Sequence, residues 1–487
     1  MKKEDLFETL GDIDPESVEK AGHYRSKKKK TAWGILAACA AAAIIAAVVG
    51  VLLMRNSGNT EEGSSTAKSN GKVEADVVKL MASYPASPGR NMDLQTYLNG
   101  EESERWFSEQ LSKIQATSDL ASSMDGYYAS MMNRLLADKD GNGENTVCSP
   151  LNTYVAFAML AEVSSGNSQK QVLDMLGVSD MESLRKNVKA LWESNYADTP
   201  MLKSMLGNSL WLNNTVKYNE DTLKRLTDQY YASSFRGDPA SEEMSRELRN
   251  WIDDNTGKML TEYTKDISMD PETVMELVST IYFKAQWQTE FNQELTTKET
   301  FHGLKGDQTV DMMHMEGQQS VYRTDKYTEV SLSLKDSGAM HFYLPKEGTN
   351  VDELLKDTDI LKAVRDQENS IYPHVKLSVP KFNVSGKKDL RDTMKDLGVT
   401  DVLDASSADF SALTEDKKEL YISKVDHAAV VEIDEQGVSG AAYVDMAICG
   451  SGMPNENLEI TLDRPFLFVV TGWDGAVLFS GVVRNIG

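Results

Sequence analysis

Residues 435–446, EQGVSGAAYVDM, are the most informative segment of this chain. It follows a strand-like run, AAVVEI, and precedes a long loop. From Val438 onward the even positions are small or apolar, and three of the four odd positions carry Ser439, Tyr443 and Asp445. This is the period-two pattern of a half-buried strand, yet the segment also contains two glycines, which are poor strand formers. We therefore expect a segment that is an exposed loop in one state and a paired strand in another.

The composition bounds the class of protein. A chain of 487 residues with 40% hydrophobic and 26% charged residues is typical of a folded globular protein. Residues 1–55 hold 9 of the 51 Lys and Arg residues and 7 of the 75 Asp and Glu residues. The remainder of the chain therefore has 42 basic and 68 acidic residues, a net charge of −26. Such a surface repels a phosphate backbone, and we expect no nucleic-acid partner. The three cysteines, Cys39, Cys148 and Cys449, are too widely spaced for a disulfide framework or a metal site.

Residues 32–54, AWGILAACAAAAIIAAVVGVLLM, form an apolar run of 23 residues without a charge. As a helix this run would be about 35 Å long, enough to cross the hydrocarbon core of a bilayer. Four lysines precede it and only Arg55 follows closely, so the positive-inside rule places residues 1–31 in the cytoplasm and the rest outside. A cleaved signal peptide is the alternative, but the apolar core and the N-terminal region are both long for one. We expect an uncleaved, single-pass membrane anchor.

Composition also divides the rest of the chain. Residues 55–72 are rich in Gly, Ser and Asn and are predicted to be a flexible linker. Residues 73–117 form an N-terminal extension in which no motif indicates chemistry, and residues 118–487 form the main folded domain. The apolar residues between Asp119 and Ala137 recur at three- and four-residue spacing, which predicts an amphipathic helix.

Local signals predict the order of the remaining elements. Ser149 and Pro150 supply an N-cap and a proline at the first helical position for LNTYVAFAMLAEV. A second helix, NSQKQVLDML, is predicted to end at Gly177. Later segments, such as VMELVSTIYFKAQW and PFLFVVT, are rich in β-branched and aromatic residues. Helices come mostly first and strands mostly later, which predicts an α+β fold.

Five segments of residues 118–487 are informative together: NTVCSPLNTYVAFAMLAEVSSGNSQKQVLDMLG, STIYFKAQWQTEF, VKLSVPKFNVSGKKDLRDTMKDLGVTDVL, ISKVDHAAVVEIDEQG and RPFLFVVTGWDGAVLFSGVV. In this order they resemble the serpin family. The resemblance implies about nine helices around three β-sheets, with a reactive-centre loop exposed at one pole. It also implies an inhibitor of serine proteases rather than an enzyme, with no cofactor, no metal and no catalytic residue of its own.

The resemblance assigns the hinge of this loop to residues 435–442. Val438, Ser439 and Gly440 stand where the family more often has Thr, Glu and Ala, but all three are small enough to enter a sheet packed near crystal density. The full set of hinge residues is Glu435, Gln436, Gly437, Val438, Ser439, Gly440, Ala441 and Ala442.

Other matches concern the central sheet itself. Ser149 and His427 match the polar cluster that gates loop insertion in serpins. Asn152 and Ser279 stand where the family usually has Ser and Asn, which resembles an exchange of partners within one hydrogen-bond network. Trp287 is similar to the residue at the top of the central sheet.

In serpins a protease cleaves the loop, the hinge inserts as a new central strand, and the protease is held as an acyl-enzyme. Counting the family's loop length from Glu435 puts the cleaved bond after Ser451, whereas counting back from Pro465 moves it toward Met453 or Pro454. The candidate residues are Ser451, Gly452, Met453, Gly450 and Cys449. No Lys or Arg lies between Gln436 and Asp463, which favours elastase-like or subtilisin-like targets over trypsin-like ones.

Competing interpretations of single motifs are weaker. The run DKDGNGEN from Asp138 begins like a calcium loop, but its closing position is Ser149 instead of a bidentate Glu, so a surface turn is the better interpretation. A hydrolase using Ser451 or Cys449 would need a nucleophile elbow or a positioned His–Asp pair, and neither is visible. The six histidines show no i,i+4 pair for zinc.

The sequence therefore supports two hypotheses. The first is a monomeric, membrane-tethered bacterial serpin whose domain lies outside the cell and traps serine proteases. The second is a non-inhibitory serpin that serves as a cell-surface binding or scaffold module, supported by Tyr443, Asp445 and the altered gating cluster.

Overall fold

The computed structural model describes residues 77–87, 92–415, 420–438 and 457–486. Over these ranges the chain forms twelve α-helices and eighteen β-strands, in the α+β arrangement expected from the sequence. The helices are α1 (Leu94–Asn99), α2 (Glu101–Ser123), α3 (Asp125–Leu136), α4 (Pro150–Val163), α5 (Gly166–Leu176), α6 (Met181–Asn195), α7 (Glu220–Tyr230), α8 (Glu242–Asn255), α9 (Thr261–Thr264), α10 (Val351–Leu354), α11 (Lys362–Arg365) and α12 (Arg391–Asp396). Short 3-10 helices cover Gln293–Leu295, Gln367–Asn369 and Asp401–Leu403.

The strands are concentrated in the second half of the chain. They are β1 (Val78–Leu80), β2 (Thr146–Cys148), β3 (Ala197–Asp198), β4 (Leu202–Asn213), β5 (Ala232–Gly237), β6 (Met275–Gln286), β7 (Thr297–Gly303), β8 (Gly306–Gln318), β9 (Ser320–Arg323), β10 (Tyr327–Ser333), β11 (Ala339–Pro345), β12 (His374–Pro380), β13 (Phe382–Asp389), β14 (Asp426–Ile433), β15 (Gly437–Val438), β16 (Asn457–Thr461), β17 (Phe466–Thr471) and β18 (Val477–Val483).

Three sheets organise these strands, as expected. The largest has eight strands in the order β1-β5-β4-β6-β15-β14-β13, with β3 beside β4. A six-stranded sheet follows the order β2-β18-β17-β11-β10-β9, and a four-stranded sheet the order β16-β12-β8-β7. The sequence predicted about nine helices, whereas the described residues form twelve. The difference comes from α9, α10 and α11, which have only four residues each.

Helix α4 forms the floor of the eight-stranded sheet. Every one of its residues except Ala156 is buried, as expected for a helix that is apolar on all sides. The predicted cap is confirmed, because the Ser149 hydroxyl accepts a hydrogen bond from the Asn152 N–H at 3.3 Å. Helix α4 packs against β6 and β18, and it thereby fixes one end of the polar cluster described below.

The helix predicted between Asp119 and Ala137 is two helices. Helix α2 ends at Ser123 and α3 begins at Asp125, and Met124 between them has φ −90° and ψ 2°. Both helices bury their apolar side chains in the same core. The apolar spacing therefore continues across the break, which is why periodicity alone does not reveal it. The predicted end of the next helix at Gly177 is confirmed, since Gly177 has φ 69° and caps α5.

The N-terminal extension packs on the domain as an integral part of it. Strand β1 pairs with β5 at the edge of the eight-stranded sheet. The Tyr84 ring lies 5.5 Å from Trp192 and 5.6 Å from Tyr196 between ring centres, and the Gln110 side chain donates to the Ser194 carbonyl at 2.8 Å. Helix α2 runs without interruption across residue 117, and one of its faces is buried from Ser103 to Ala121.

Several predictions concern residues outside the described ranges. They are the head at 1–31, the apolar run at 32–54, the linker at 55–72, the hinge beyond Val438 and the cleavage candidates from Cys449 to Met453. In the part of the chain that the structure covers, no helix is both long and apolar enough to cross a membrane.

Candidate functional site

The segment predicted to be the hinge begins in a tight turn between β14 and β15. The Asp434 N–H donates to the Gly437 carbonyl at 3.1 Å. The Asp434 carboxylate in turn accepts from the backbone N–H groups of Gln436 at 2.9 Å and Gly437 at 3.1 Å. An Asp side chain that bonds its own backbone two or three residues later stabilises such a turn. The chain consequently reverses within four residues and enters the sheet at Gly437.

Gly437 lies where no side chain fits. A Cβ at this position would be 2.2 Å from the Ala285 carbonyl oxygen and 2.8 Å from the Gln286 Cα. Both are backbone atoms of β6, so they cannot move aside as the end of a flexible side chain would. The close pairing of the hinge with β6 therefore requires glycine at 437.

Trp287 holds the same turn from the end of β6. Its backbone N–H donates to the Gln436 carbonyl at 3.0 Å, and its indole Nε1–H donates to the Asp434 carbonyl at 2.9 Å. The side chain is fully buried. The structure thus places the sequence-predicted Trp287 directly on the hinge, where it satisfies two carbonyl groups of the turn.

Glu435 is anchored by an ion pair and a hydroxyl group. Its carboxylate lies 2.6 Å from the Lys381 Nζ and accepts from the Thr296 hydroxyl at 2.7 Å. Its backbone carbonyl accepts from the Phe291 N–H at 2.9 Å. Burial opposes ionisation, but the hydrogen bonds from Lys381 and Thr296 outweigh it and hold the pKa of Glu435 below its usual value. The first hinge residue is therefore fixed as a carboxylate.

We call the space between β6 and β14 the slot, and strand β15 lies at its upper end, where both of these strands end. Val438 pairs with Ala285 on one side and with Ile433 on the other, and its side chain is buried. Among the described strands β6 and β14 are joined only through β15. The side chains of β6 that face α4 are buried at Phe283 and Ala285 but partly exposed farther down, at Leu277, Ser279 and Ile281. Below these two residues, no described strand lies between β6 and β14.

The predicted gating residues meet beneath this slot, at the N-terminus of α4. Ser279 on β6 and Asn152 on α4 bond reciprocally: the Asn152 side-chain amide donates to the Ser279 carbonyl at 3.1 Å, and the Ser279 hydroxyl donates to the Asn152 Oδ1 at 2.5 Å. The α4 helix is therefore bonded directly to β6.

His427 connects the same helix end to β14. Its Nε2 accepts a hydrogen bond from the Ser149 N–H at 3.0 Å, and the Ser149 hydroxyl donates to the Leu478 carbonyl at 2.6 Å. Burial of the imidazole lowers the pKa of His427 to about 4, so the ring is neutral near pH 7. The four residues thus join α4 to both sides of the slot, with His427 bonded to Ser149 rather than to Asn152 or Ser279.

Sequence reasoning did not single out three residues of this site. Asp434 carries a local signal, because an Asp three residues before a Gly is typical of a turn. Lys381 and Thr296 carry none, since they reach Glu435 only through the pairing of distant strands. The acidic run from Asp138 is a turn, as expected, because its carboxylate accepts from the N–H groups of Asn142 and Gly143 at 3.0 and 2.8 Å.

Comparisons with known proteins agree with this architecture. A family model described as "Serpin (serine protease inhibitor)" matches residues 126–486. Mouse Serpin B11 is 28% identical over 361 residues, which cover 70% of this chain and 92% of that protein. Human neuroserpin is 27% identical over 380 residues, which cover 73% of this chain and 89% of that protein.

Solved structures show the same fold. The native state of tengpin, a thermophilic serpin, superposes with a TM-score of 0.67 at 23% identity and covers 85% of this chain and all of that one. Thyroxine-binding globulin in complex with thyroxine gives a TM-score of 0.65 at 25% identity and covers 75% of this chain and 99% of that one.

Proposed function

The chain belongs to the serpin family, whose members are generally protease inhibitors rather than enzymes, and we propose that it inhibits serine proteases by suicide trapping. The observation that carries this proposal is strand β15. Gly437 and Val438 lie between β6 and β14 at the upper end of the slot, and below them no other described strand lies between these two. An additional strand can extend from them without rearranging the pairs that are already made.

Trapping depends on the relative rates of two steps, insertion of the loop and hydrolysis of the acyl-enzyme. A serine protease attacks the loop and becomes an acyl-enzyme, which water then hydrolyses. If the freed hinge inserts before hydrolysis, the inserted strand gains backbone hydrogen bonds on both sides and the complex becomes kinetically stable. The turn at Asp434, the bonds from Trp287 and the anchored Glu435 hold the first hinge residues at the top of the slot, which shortens the path to insertion.

The loop sequence indicates the class of target. No Lys or Arg lies between Gln436 and Asp463, so a trypsin-like pocket with a carboxylate at its base would find no partner. We propose elastase-like or subtilisin-like targets, with cleavage after a residue between Gly450 and Met453.

The experiment is to incubate the full chain with elastase-like, subtilisin-like and trypsin-like proteases, followed by denaturing gels and mass spectrometry of the C-terminal fragment. A band at the summed mass of inhibitor and protease is expected for the first two classes, and the fragment mass locates the cleaved bond. Clean cleavage with full protease activity retained would overturn the proposal.

Two loop variants make the test specific for insertion. Val438 faces the core, so the alternation of side chains along a strand directs residue 440 inward and residue 439 outward. Gly440→Glu should be cleaved without trapping, because a carboxylate would have to enter the core. Ser439→Glu introduces the same charge one position earlier and should still trap.

Thyroxine-binding globulin, one of the similar structures, favours a second candidate function. A serpin that binds a ligand or scaffold partner would be cleaved in the loop without retaining the protease. Tyr443 and Asp445 in the inserting segment support this alternative, since the hinges of inhibitory serpins are usually rich in small residues. The absence of a covalent band with every protease class would favour it.

We also propose that residues 32–54 anchor the chain in the envelope of a bacterium, with the serpin domain outside and monomeric. The support is the uncharged run of 23 residues and the lysines before it. Retention of the chain in membranes washed at alkaline pH, together with its release by an external protease, would test both the anchor and its orientation.

A further inference from the structure

One segment of the chain crosses the outer face of the slot, opposite α4. We call residues 257–264 the roof segment. It leaves the end of α8 through Gly257 and Lys258, which have φ of +58° and +64°, and it contains α9. The Thr264 hydroxyl donates to the Asp253 carboxylate of α8 at 2.7 Å, which ties the far end of the roof segment back to that helix.

The roof segment contacts β6 on one side of the slot and β13, the strand beyond β14, on the other side. Gly257 lies against β6, because a Cβ there would be 2.6 Å from the Tyr282 ring. The Tyr263 hydroxyl donates to the Ser385 hydroxyl of β13 at 2.9 Å. Ser385 pairs with Val430 of β14, so this bond joins the roof to the opposite half of the sheet.

Both contacts lie at the same level of the sheet. Val438 pairs with Ala285 of β6 and Ile433 of β14. Counting three residues along each antiparallel strand reaches Tyr282 and Val430. A strand that continued β15 would therefore place residue 441 in this row, directly beneath the roof segment.

A strand that carries a protease at its end cannot be threaded through a closed opening. It has to enter the slot sideways, from the outer face, because the floor on the inner side is α4. The roof segment spans that outer face, so at least one of its two contacts must open before insertion passes residue 441. The bond between Tyr263 and Ser385 is the weaker one, since it is a single exposed hydrogen bond, whereas Gly257 is packed backbone.

We propose that Tyr263 and Ser385 are positioning residues for the trapping reaction: their hydrogen bond closes the slot and sets how fast the cleaved loop inserts. This proposal rests on the proposed function. Losing one neutral hydrogen bond should speed the opening by about two- to tenfold. Insertion competes with hydrolysis of the acyl-enzyme, so faster opening should raise the share of protease that is trapped.

The test compares Tyr263→Phe, Ser385→Ala and the double variant. We expect each single variant to need fewer inhibitor molecules per trapped protease, with the rate of loop cleavage unchanged. The double variant should match the single ones, because both substitutions remove the same bond. Tyr372→Phe, at a residue that is 56% exposed, is the matched control. It should need the same number of inhibitor molecules per trapped protease as the wild type.

A second readout separates this inference from the proposed function. After cleavage of the loop by any protease, insertion is followed as the rate at which the cleaved chain gains resistance to heat. A gain that Tyr263→Phe accelerates supports the inference even if no protease is trapped. If the wild type and Tyr263→Phe gain heat resistance at equal rates, the inference alone is overturned. If neither protein gains heat resistance after cleavage, both proposals are overturned. Equal unfolding midpoints before cleavage would show that the variants act on opening rather than on overall stability.

Discussion

The backbone N–H of Ser149 points at Nε2 of His427, 3.0 Å away, and so joins the first turn of α4 to β14. The ring can accept this bond only while Nε2 is unprotonated. Protonation would bring two donors face to face inside the core, without water to separate them. The buried histidine therefore couples the floor of the slot to pH.

The first prediction is a loss of stability in mild acid. An unfolded histidine titrates near 6.5, whereas burial lowers the pKa of His427 to about 4. Between these values the unfolded chain binds a proton that the folded chain does not. The stabilisation is thus present above pH 6.5 and is lost as the pH falls towards 4, by about 3 kcal/mol in total.

Thermal unfolding at pH 7, 5.5 and 4 tests this window. His427→Gln keeps an acceptor for the Ser149 N–H but does not titrate, so its stability should fall less than that of the wild type. His302→Gln, at a side chain that is 58% exposed, should lose as much stability between pH 7 and pH 4 as the wild type. Parallel loss in all three proteins would assign the acid sensitivity to other groups.

The second prediction concerns the glycine at the start of β15. Gly437→Ala should lower stability by about 1–3 kcal/mol and reduce trapping, because the new Cβ would meet the Ala285 carbonyl at 2.2 Å. The control is Gly126→Ala in α3, where no atom lies within 4 Å of the added Cβ and alanine favours the helix. Chemical unfolding and the covalent-complex assay measure the two effects. A Gly437→Ala protein of normal stability and trapping would show that the turn can shift without loss.

The third prediction addresses the Glu435 anchor. Glu435→Gln and Lys381→Met should each destabilise the hinge, with a coupling energy of about 1–2 kcal/mol, because the Glu435 side chain is only 5% exposed while that of Lys381 is 37% exposed. The pKa of Glu435 lies below its usual value, so its contribution is present at neutral pH and is lost below pH 4.5, as the carboxylate protonates. A double-mutant cycle at pH 7 measures the coupling. The exposed pair of Lys362 with Asp359 should show a much smaller coupling in the same cycle.

The fourth prediction concerns a buried carboxylate far from the loop. Glu162 on α4 is fully buried and binds Arg185 at 2.7 Å and Arg225 at 2.5 Å, while the Tyr230 hydroxyl donates to it at 3.2 Å. Glu162→Gln should destabilise the protein by about 3 kcal/mol, since two arginines lose their shared partner. Urea unfolding should show this loss, whereas Asp174→Asn, in an exposed pair, should change stability by less than about 0.5 kcal/mol. Equal effects would indicate that solvent already screens the Glu162 network.

The fifth prediction tests the N-terminal extension. Tyr84→Ala should lower the free energy of unfolding by about 2 kcal/mol, because the ring packs against Trp192, Tyr196 and Tyr231. Val78→Ala, at a β1 side chain that is 68% exposed, is the control and should be close to neutral. An unchanged unfolding midpoint for Tyr84→Ala would mean that the extension is only loosely attached.

Much of this architecture could be predicted from local patterns. Ser149 and Pro150 mark the start of α4, Gly177 marks the end of α5, and runs of β-branched residues mark the long strands. These features depend on neighbouring residues, which the chain itself places side by side. The break at Met124 could not be predicted, because the apolar spacing continues across it and the two helices share one core.

Local motifs were enough to identify the family, because a motif is a property of adjacent positions. The hinge and the four gating residues were predicted from the resemblance to that family, and the partners of those that the structure describes are visible only in the folded chain. Lys381 and Thr296 reach Glu435, Ser149 reaches His427, and Tyr263 reaches Ser385 across 122 residues. Strand register explains this difference, because the side chains that meet across a sheet are set by pairing between distant segments, and no local pattern in the chain encodes that pairing.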